Sequence, residues 1–413
     1  MCLYVGAGIY FSLTGVENAF YQLSPSVAIM PAIAVGWALT KGNTTERMNT
    51  FLEGVRHRDI ITMCLMFLLA GAFGTVTNAI GSVDATVNFA LTHLPPQLLL
   101  IGLFLTAAFI STAIGTSMGT IATLAPLAAS MATQGAISPS IGMATVIGGA
   151  MFGDSLSMIS DTTIAAVLSQ EADLRAKLKL NGQVAGLAAA LTMIILYFMH
   201  DMAVSIPAQP YDLWLLTPYF FLITLALMGM NVFIVLVLSL SVAGGVGFVH
   251  HGYNVVALSQ DIAKGFISMH DIMLLSLLVG GLSGLTGKGS EKLGLALSTL
   301  LDKHGGQRSA QLVIGKIVSV FDLLLANNTV AIIFSGQMAR DIAKKHHIPP
   351  HYSATWLDTF SCAFQGIIPY GAQILLASAV GGLSPLQIMP HVYFCYFLGL
   401  ISVGFILFKK VRA

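Results

Sequence analysis

The chain is written as long apolar runs separated by short polar breaks, and the run lengths cluster where a bilayer crossing needs them. A crossing helix takes roughly 17 to 25 residues. Runs of that kind lie at 2–19, 24–40, 59–80, 142–168, 183–199, 213–228, 231–249, 271–287, 352–378 and 388–408. Two further apolar stretches do not fit single crossings. The first, 98–132, is too long for one helix and is interrupted by GTSMGT; the second, 311–339, is interrupted by ANNT. Both are read as hairpins that enter the membrane and return on the same side. The N-terminal run has no basic stretch before it and no A-x-A site, so it reads as a first span and not as a cleaved signal.

Composition strengthens this picture. Of 413 residues 56% are hydrophobic and only 9% charged, where a soluble domain carries roughly 25%. The class is therefore an all-α polytopic membrane protein, with the lipid bilayer as its principal partner. A net charge of +1 gives no sign of a nucleic-acid partner. Cys2, Cys64, Cys362 and Cys395 form no CxxC or CxxH pair and read as packing residues. Basic residues set the orientation. With both hairpins re-entrant and both termini cytoplasmic, 18 of the 19 Lys and Arg residues fall in the inside segments 41–58, 169–182, 288–316, 340–351 and 409–413, and only Lys264 falls outside. Turning either hairpin into a single crossing destroys that asymmetry, so the positive-inside rule favours ten spans plus two hairpins.

The same layout repeats. At an offset of 209 residues LMFLLAG (65–71) meets LLSLLVG (274–280), Tyr10-Phe11 meets Tyr219-Phe220, and Thr120 meets Thr329. Five spans per unit is an odd number, which makes the second unit inverted. The expectation is two inverted-topology repeats, 1–200 and 210–413, each with five spans, a re-entrant hairpin and a broken helix. Inverted repeats with interrupted helices near the midplane are an architecture of secondary transporters.

The candidate chemistry sits in the interruptions. GDSLSMISDTT, residues 153–163, puts two carboxylates and five hydroxyls inside the span 142–168, and CAFQGIIPYGA, 362–372, is its partner at the same offset. Unwound backbone at membrane depth is tolerated only where it is buried in protein or lines a cavity. The expected site therefore gathers Thr116, Ser117 and Thr120 from hairpin one and Asn327, Asn328 and Thr329 from hairpin two. The broken spans add Asp154, Ser155, Ser157, Ser160, Asp161, Thr162, Thr163, Gln365 and Gln373. Hard alkali cations take oxygen ligands, and this inventory is oxygen-rich without His or Cys. Asp322 reads equally as a second cation or proton ligand or as a hairpin stabiliser, and Asp358 as a solvated helix start. His346, His347 and His351 read as a solvated turn. No HExxH or nucleotide loop is present, so an enzyme is not expected.

The run MFGDSLSMISDTTIAA resembles the GD-x-x-S-x-x-SDTT segment of the NhaC-type sodium/proton antiporter family, and STAIGTSMGTIATLAP is similar to the hairpin of that family. Ser155 and Met158 depart from it, since many members carry Lys and Pro there, which leaves no salt bridge inside the motif. The resemblance implies a prokaryotic inner-membrane antiporter that works by alternating access, with sodium and protons as cargo and no cofactor. It marks Asp154, Ser157, Ser160, Asp161, Thr162 and Thr163 as the sodium/proton site. The alternative is a sodium- or proton-coupled transporter of an organic anion such as malate or lactate, or of an amino acid, held at the polar hairpin tips. A mobile transport unit needs a static frame, and spans 2–40 and 213–249 are expected to supply it in a homodimer. Because Asp161 stands between Ser160 and two threonines, the sequence ranks Asp161 above Asp154 as the cation ligand.

Overall fold

The computed structural model describes residues 22–93, 95–158, 160–199, 210–228, 230–250, 253–271, 273–285 and 306–409, with residues 7, 10, 11 and 14 near the start. Most of the span expected at 2–19, with Cys2, Lys288, Lys292, Lys303, Lys410 and Arg412, lies outside the described residues. Every regular element among those described is helical. The helices are α1 (Met30–Leu39), α2 (Thr44–Val55), α3 (Arg58–Ala79), α4 (Ser82–His93), α5 (Pro96–Ile114), α6 (Ser117–Thr133), α7 (Pro139–Leu156), α8 (Asp161–Gln170) and α9 (Leu174–Phe198). After residue 210 come α10 (Thr217–Leu227), α11 (Val232–His250), α12 (Val255–Ser268), α13 (273–285), α14 (Gln307–Leu325), α15 (Asn328–Lys345), α16 (Pro350–Gln365), α17 (Ala372–Gly381), α18 (Pro385–Ile388) and α19 (Tyr393–Phe408).

Both apolar stretches that were too long for one crossing break where the sequence breaks them. α5 ends at Gly115, in the left-handed region at φ 78°, and α6 begins behind Thr116. α14 ends at Ala326, also left-handed at φ 52°, and α15 begins behind Asn327, whose side chain accepts the Val330 N–H. A left-handed residue is a common helix terminator, and glycine adopts it without strain. In both stretches the second helix packs on the first. The spans expected to be broken are broken as well: α7 stops at Leu156 and α8 restarts at Asp161, while α16 stops at Gln365 and α17 restarts at Ala372.

Six helix starts recur 211 residues later: Thr44 and Val255, Pro96 and Gln307, Ser117 and Asn328, Pro139 and Pro350, Asp161 and Ala372, Leu174 and Pro385. The left-handed caps recur at the same spacing, Gly115 with Ala326 and Glu171 with Gly382. The spacing is two residues longer than the offset expected from apolar matches. Two residues turn a helix by about 200°, so the sequence alignment compared opposite faces; a helix apolar all round gives hydropathy no means of fixing the register.

Four helical stretches among the described residues are long and apolar enough to cross a membrane unaided: 60–79, 139–170, 174–198 and 255–285. A fifth follows if 372–381 and 385–391, bent by 100°, count as one. Shorter apolar helices of 10 to 17 residues lie at 26–39, 97–113, 213–225, 233–249 and 393–408. The core runs through the broken elements, and α5, α6, α7, α14, α16 and α17 all contribute fully buried side chains to it. Cys64, Cys362 and Cys395 are buried in it, unbridged.

Candidate functional site

Four chain breaks converge on one cavity of about 100 Å³. Its walls come from the α5–α6 tip (Gly115, Thr116, Ser117), the α14–α15 tip (Ala326, Asn327, Asn328, Thr329), the α7–α8 break (Asp154, Asp161, Thr162) and the α16–α17 break (Gln365, Gln373). Helices end here because the backbone turns, and each end leaves peptide groups without intrahelical partners. Polar side chains meet part of that demand and form a continuous network. Asp154, 4% exposed, accepts hydrogen bonds from Ser117 Oγ at 2.9 Å and Ser160 Oγ at 2.5 Å. Ser160 also bonds Thr162 Oγ1 at 2.8 Å. Gln373 Nε2 donates to Ser117 Oγ at 3.2 Å, and Gln365 Nε2 donates to Gln373 Oε1 at 2.8 Å and to the Ala326 carbonyl at 3.1 Å. One chain of hydrogen bonds thus ties all four breaks together.

This arrangement sorts the expected site residues. Asp154, Asp161, Thr162, Thr116, Ser117, Asn327, Asn328, Thr329, Gln365 and Gln373 line the cavity, and Ser160 stands directly behind Asp154. Ser157 instead donates to the Thr112 carbonyl at 2.9 Å and so fastens the break to α5. Thr120 bonds the Thr116 carbonyl one turn back, and Ser155 bonds the Phe152 carbonyl. Asp154 has the buried oxygen shell that the sequence assigned to Asp161, whereas Asp161 is exposed at the cavity mouth. Local sequence neighbours misled here because Ser117, which completes the Asp154 shell, is 37 residues away.

Thr163 belongs to a second buried centre. Lys177 and Asp358, both 0% exposed, form an ion pair at 2.7 Å. Lys177 Nζ also donates to Thr163 Oγ1 at 2.7 Å and to the Ser155 carbonyl at 3.3 Å. Asn181 Nδ2 reaches Asp358 at 2.6 Å and the same Ser155 carbonyl at 3.0 Å. This corrects two expectations: Lys177 is not a loop residue facing the cytoplasm, and Asp358 is not a solvated helix start. A buried charge needs a partner and further hydrogen bonds, and this pair has them. The pair holds both sides of the α7–α8 break and thereby fixes how Asp154 and Ser160 are presented. Lys177 and Asn181, four apart, share one face of α9, but Arg175, Lys179 and Gln183 in the same stretch leave nothing in the sequence that singles the two out.

Across the cavity, α8 is held to α15. Gln170 Nε2 donates to the Gly336 carbonyl at 2.8 Å, and Arg340 pairs with Glu171. A Cβ at Gly336 would stand 2.6 Å from Ser169 Cβ, so the contact requires glycine there.

A groove of about 1010 Å³ shares Thr62, Met66, Thr116, Asp161 and Thr329 with the cavity and extends to His57 and Arg58. A pocket of about 350 Å³ around Gly74, Asp84 and Pro126 shares no lining residue with the cavity, and beside it Gln134 Nε2 donates to Asp84 at 2.5 Å.

Comparison with known proteins agrees with the motif. The chain is 23% identical over 393 residues to the Na(+)/H(+) antiporter NhaC of Bacillus subtilis (strain 168), covering 86% of each. It is 20% identical over 435 residues to the malate-2H(+)/Na(+)-lactate antiporter of the same organism, covering 96% of this chain and 91% of that one. Among solved structures it is similar to Neisseria gonorrhoeae MtrF, described with a class of antimetabolite efflux pumps, at 10% identity and a TM-score of 0.44 over 94% of this chain and 96% of that one. The model of the Na+/H+ antiporter family matches residues 4–201, close to half of the length and the part that holds GDSLSMISDTT.

Proposed function

We propose that the protein is a sodium/proton antiporter in which Asp154 holds sodium or a proton in turn. The observation that carries this reading is the buried Asp154 carboxylate, held by the hydroxyls of Ser117 and Ser160, at the meeting point of four helix breaks. Sodium is a hard cation that takes oxygen ligands. Asp154, Ser117, Ser160 and Thr162 offer a carboxylate and three hydroxyls, and the unwound backbone adds carbonyls. The same carboxylate, protonated, is the neutral alternative, so one site serves both cargoes and excludes double occupancy. Asp161 at the mouth draws cations toward it.

The helix starts that recur at 211 residues support reading the molecule as two inverted repeats that together make ten crossings and two re-entrant hairpins. On that reading the groove beside His57 and Arg58 opens to the cytoplasm, and alternating access closes it while opening the Asp84 side. The membrane is a prokaryotic inner membrane with both termini inside, and the frame that carries α1, α10 and α11 pairs with a second copy of the chain. An organic-anion exchanger is the second reading. It is favoured by Thr116, Thr329 and Arg58, which place two hydroxyls and a cation around a groove far larger than sodium requires, and by the relative named for malate and lactate.

Proteoliposomes separate these readings. An inward sodium gradient is expected to drive proton efflux without any organic acid, and Asp154→Asn, which keeps the shape but not the titrating proton, is expected to bring it to background. Robust exchange by Asp154→Asn, or exchange that requires malate or lactate, sinks the first reading.

A further inference from the structure

The α14 helix carries a carboxylate that the cavity does not use. Asp322, one turn before the α14–α15 tip, is 0% exposed, and neither of its oxygens meets a hydrogen-bond donor in good geometry; the donor that faces it is the backbone N–H of Gln365. Gln365 Oε1 is likewise buried without a donor. Buried polar groups are almost always paired, and an exception demands an explanation.

Nearby charges do not supply one. Asp358 on the adjacent α16 is neutralised by Lys177, and Arg340 on α15 pairs with Glu171. The titratable side chain that faces Asp322 is Tyr370, whose hydroxyl donates to the Leu323 carbonyl at 2.5 Å. A carboxylate in such surroundings keeps its negative charge only at high cost. A bound proton removes that cost and leaves a neutral acid with a donor of its own. Sodium fits less well, because Asp322 does not line the cavity and two side chains cannot provide a full oxygen shell.

The spacing of 211 residues sharpens the point. Asp154 corresponds to Gln365, and Asp322 corresponds to Ser111. The enclosed carboxylate Asp154 of the first half thus sits on the broken span, and Asp322 of the second half sits on the hairpin. The two are joined through the Gln365–Gln373–Ser117 hydrogen bonds.

We infer that Asp322 is a second, proton-only site, separate from the Asp154 cation site, that is loaded and emptied as the second hairpin moves. The inference rests on the antiport reading. It predicts one more proton per sodium than Asp154 alone provides.

The test is the coupling ratio, read from reversal potentials in proteoliposomes at set sodium and proton gradients. Asp322→Asn is expected to exchange with one proton fewer per sodium than the unaltered protein. An unchanged ratio, or complete loss of exchange that Asp322→Glu does not restore, overturns the inference. Failure of the unaltered protein to exchange sodium for protons refutes the antiport reading instead. Should Asp322→Asn not fold, infrared spectra of Asp154→Asn decide. With the central carboxyl removed, a buried carboxylic-acid C=O band that vanishes on raising the pH supports the second site, and absence of the band or its insensitivity to pH refutes it.

Discussion

The α7–α8 and α16–α17 breaks have the same place in the order of helices and opposite chemistry. Asp154, Ser160, Asp161 and Thr162 surround the first, whereas Gln365 and Gln373 occupy the second. At the spacing of 211 residues Asp154 faces its counterpart Gln365, and Thr162 its counterpart Gln373. The first break carries charge and hydroxyl oxygen; the second carries amides, one of which donates to Ser117 on the α5–α6 tip. Matching helix order thus sets where the breaks meet, and on the antiport reading their unlike side chains give the cation to the first.

The largest expected effect comes from moving the charge between the breaks. Asp154→Gln should abolish sodium-driven proton flux, and adding Gln365→Asp should not restore it, since the second break lacks hydroxyls to complete the shell. Restored flux would mean that the two breaks are interchangeable.

Breaking the buried pair behind the first break comes next. Lys177→Met leaves Asp358 buried without its counter-ion and should lower stability by about 3–5 kcal/mol, read as thermal unfolding in detergent. Lys177→Met with Asp358→Leu should recover most of that loss. Exchange by the doubly substituted protein should still be impaired, because the Ser155 carbonyl and Thr163 lose the group that positions them. Normal exchange would confine the pair to stability.

Smaller effects are expected at the edges. Asp161→Asn removes about 1 kcal/mol of Coulomb attraction in a wet mouth; the sodium concentration for half-maximal exchange should rise about fivefold while maximal flux persists. An equal loss with Asp161→Asn and Asp154→Asn would restore the ranking read from the sequence. Gln373→Leu cuts the bond to Ser117 and should cost about 1 kcal/mol, with slower exchange and an unaltered sodium requirement. Least of all, Asn327→Ala removes a helix cap, for about 1 kcal/mol of stability, and should leave the coupling ratio unchanged.

Much of the site was legible because polarity inside an apolar chain is expensive and therefore conspicuous. GTSMGT, ANNT, GDSLSMISDTT and the Gln365–Gln373 stretch all declare themselves against their surroundings, and the structure brings residues of all four to one cavity. Lys177 and Asp358 were misread for the complementary reason. Each lies near the polar end of an apolar run, where a charge ordinarily meets water, and only packing shows that they meet each other.

The sequence by itself determined the class, the helical elements, the positions of the breaks and the oxygen-rich chemistry, because hydropathy, glycine and isolated polar residues act locally. Tertiary structure alone decided which carboxylate is enclosed, since Asp154 owes its shell to Ser117 on another helix. It also set the spacing of 211 instead of 209, because a uniformly apolar helix reads alike in every register until its neighbours choose a face. The pairing of Lys177 with Asp358, 181 residues apart, and the isolation of Asp322 have the same origin: a partner, or the lack of one, is a property of the packed molecule.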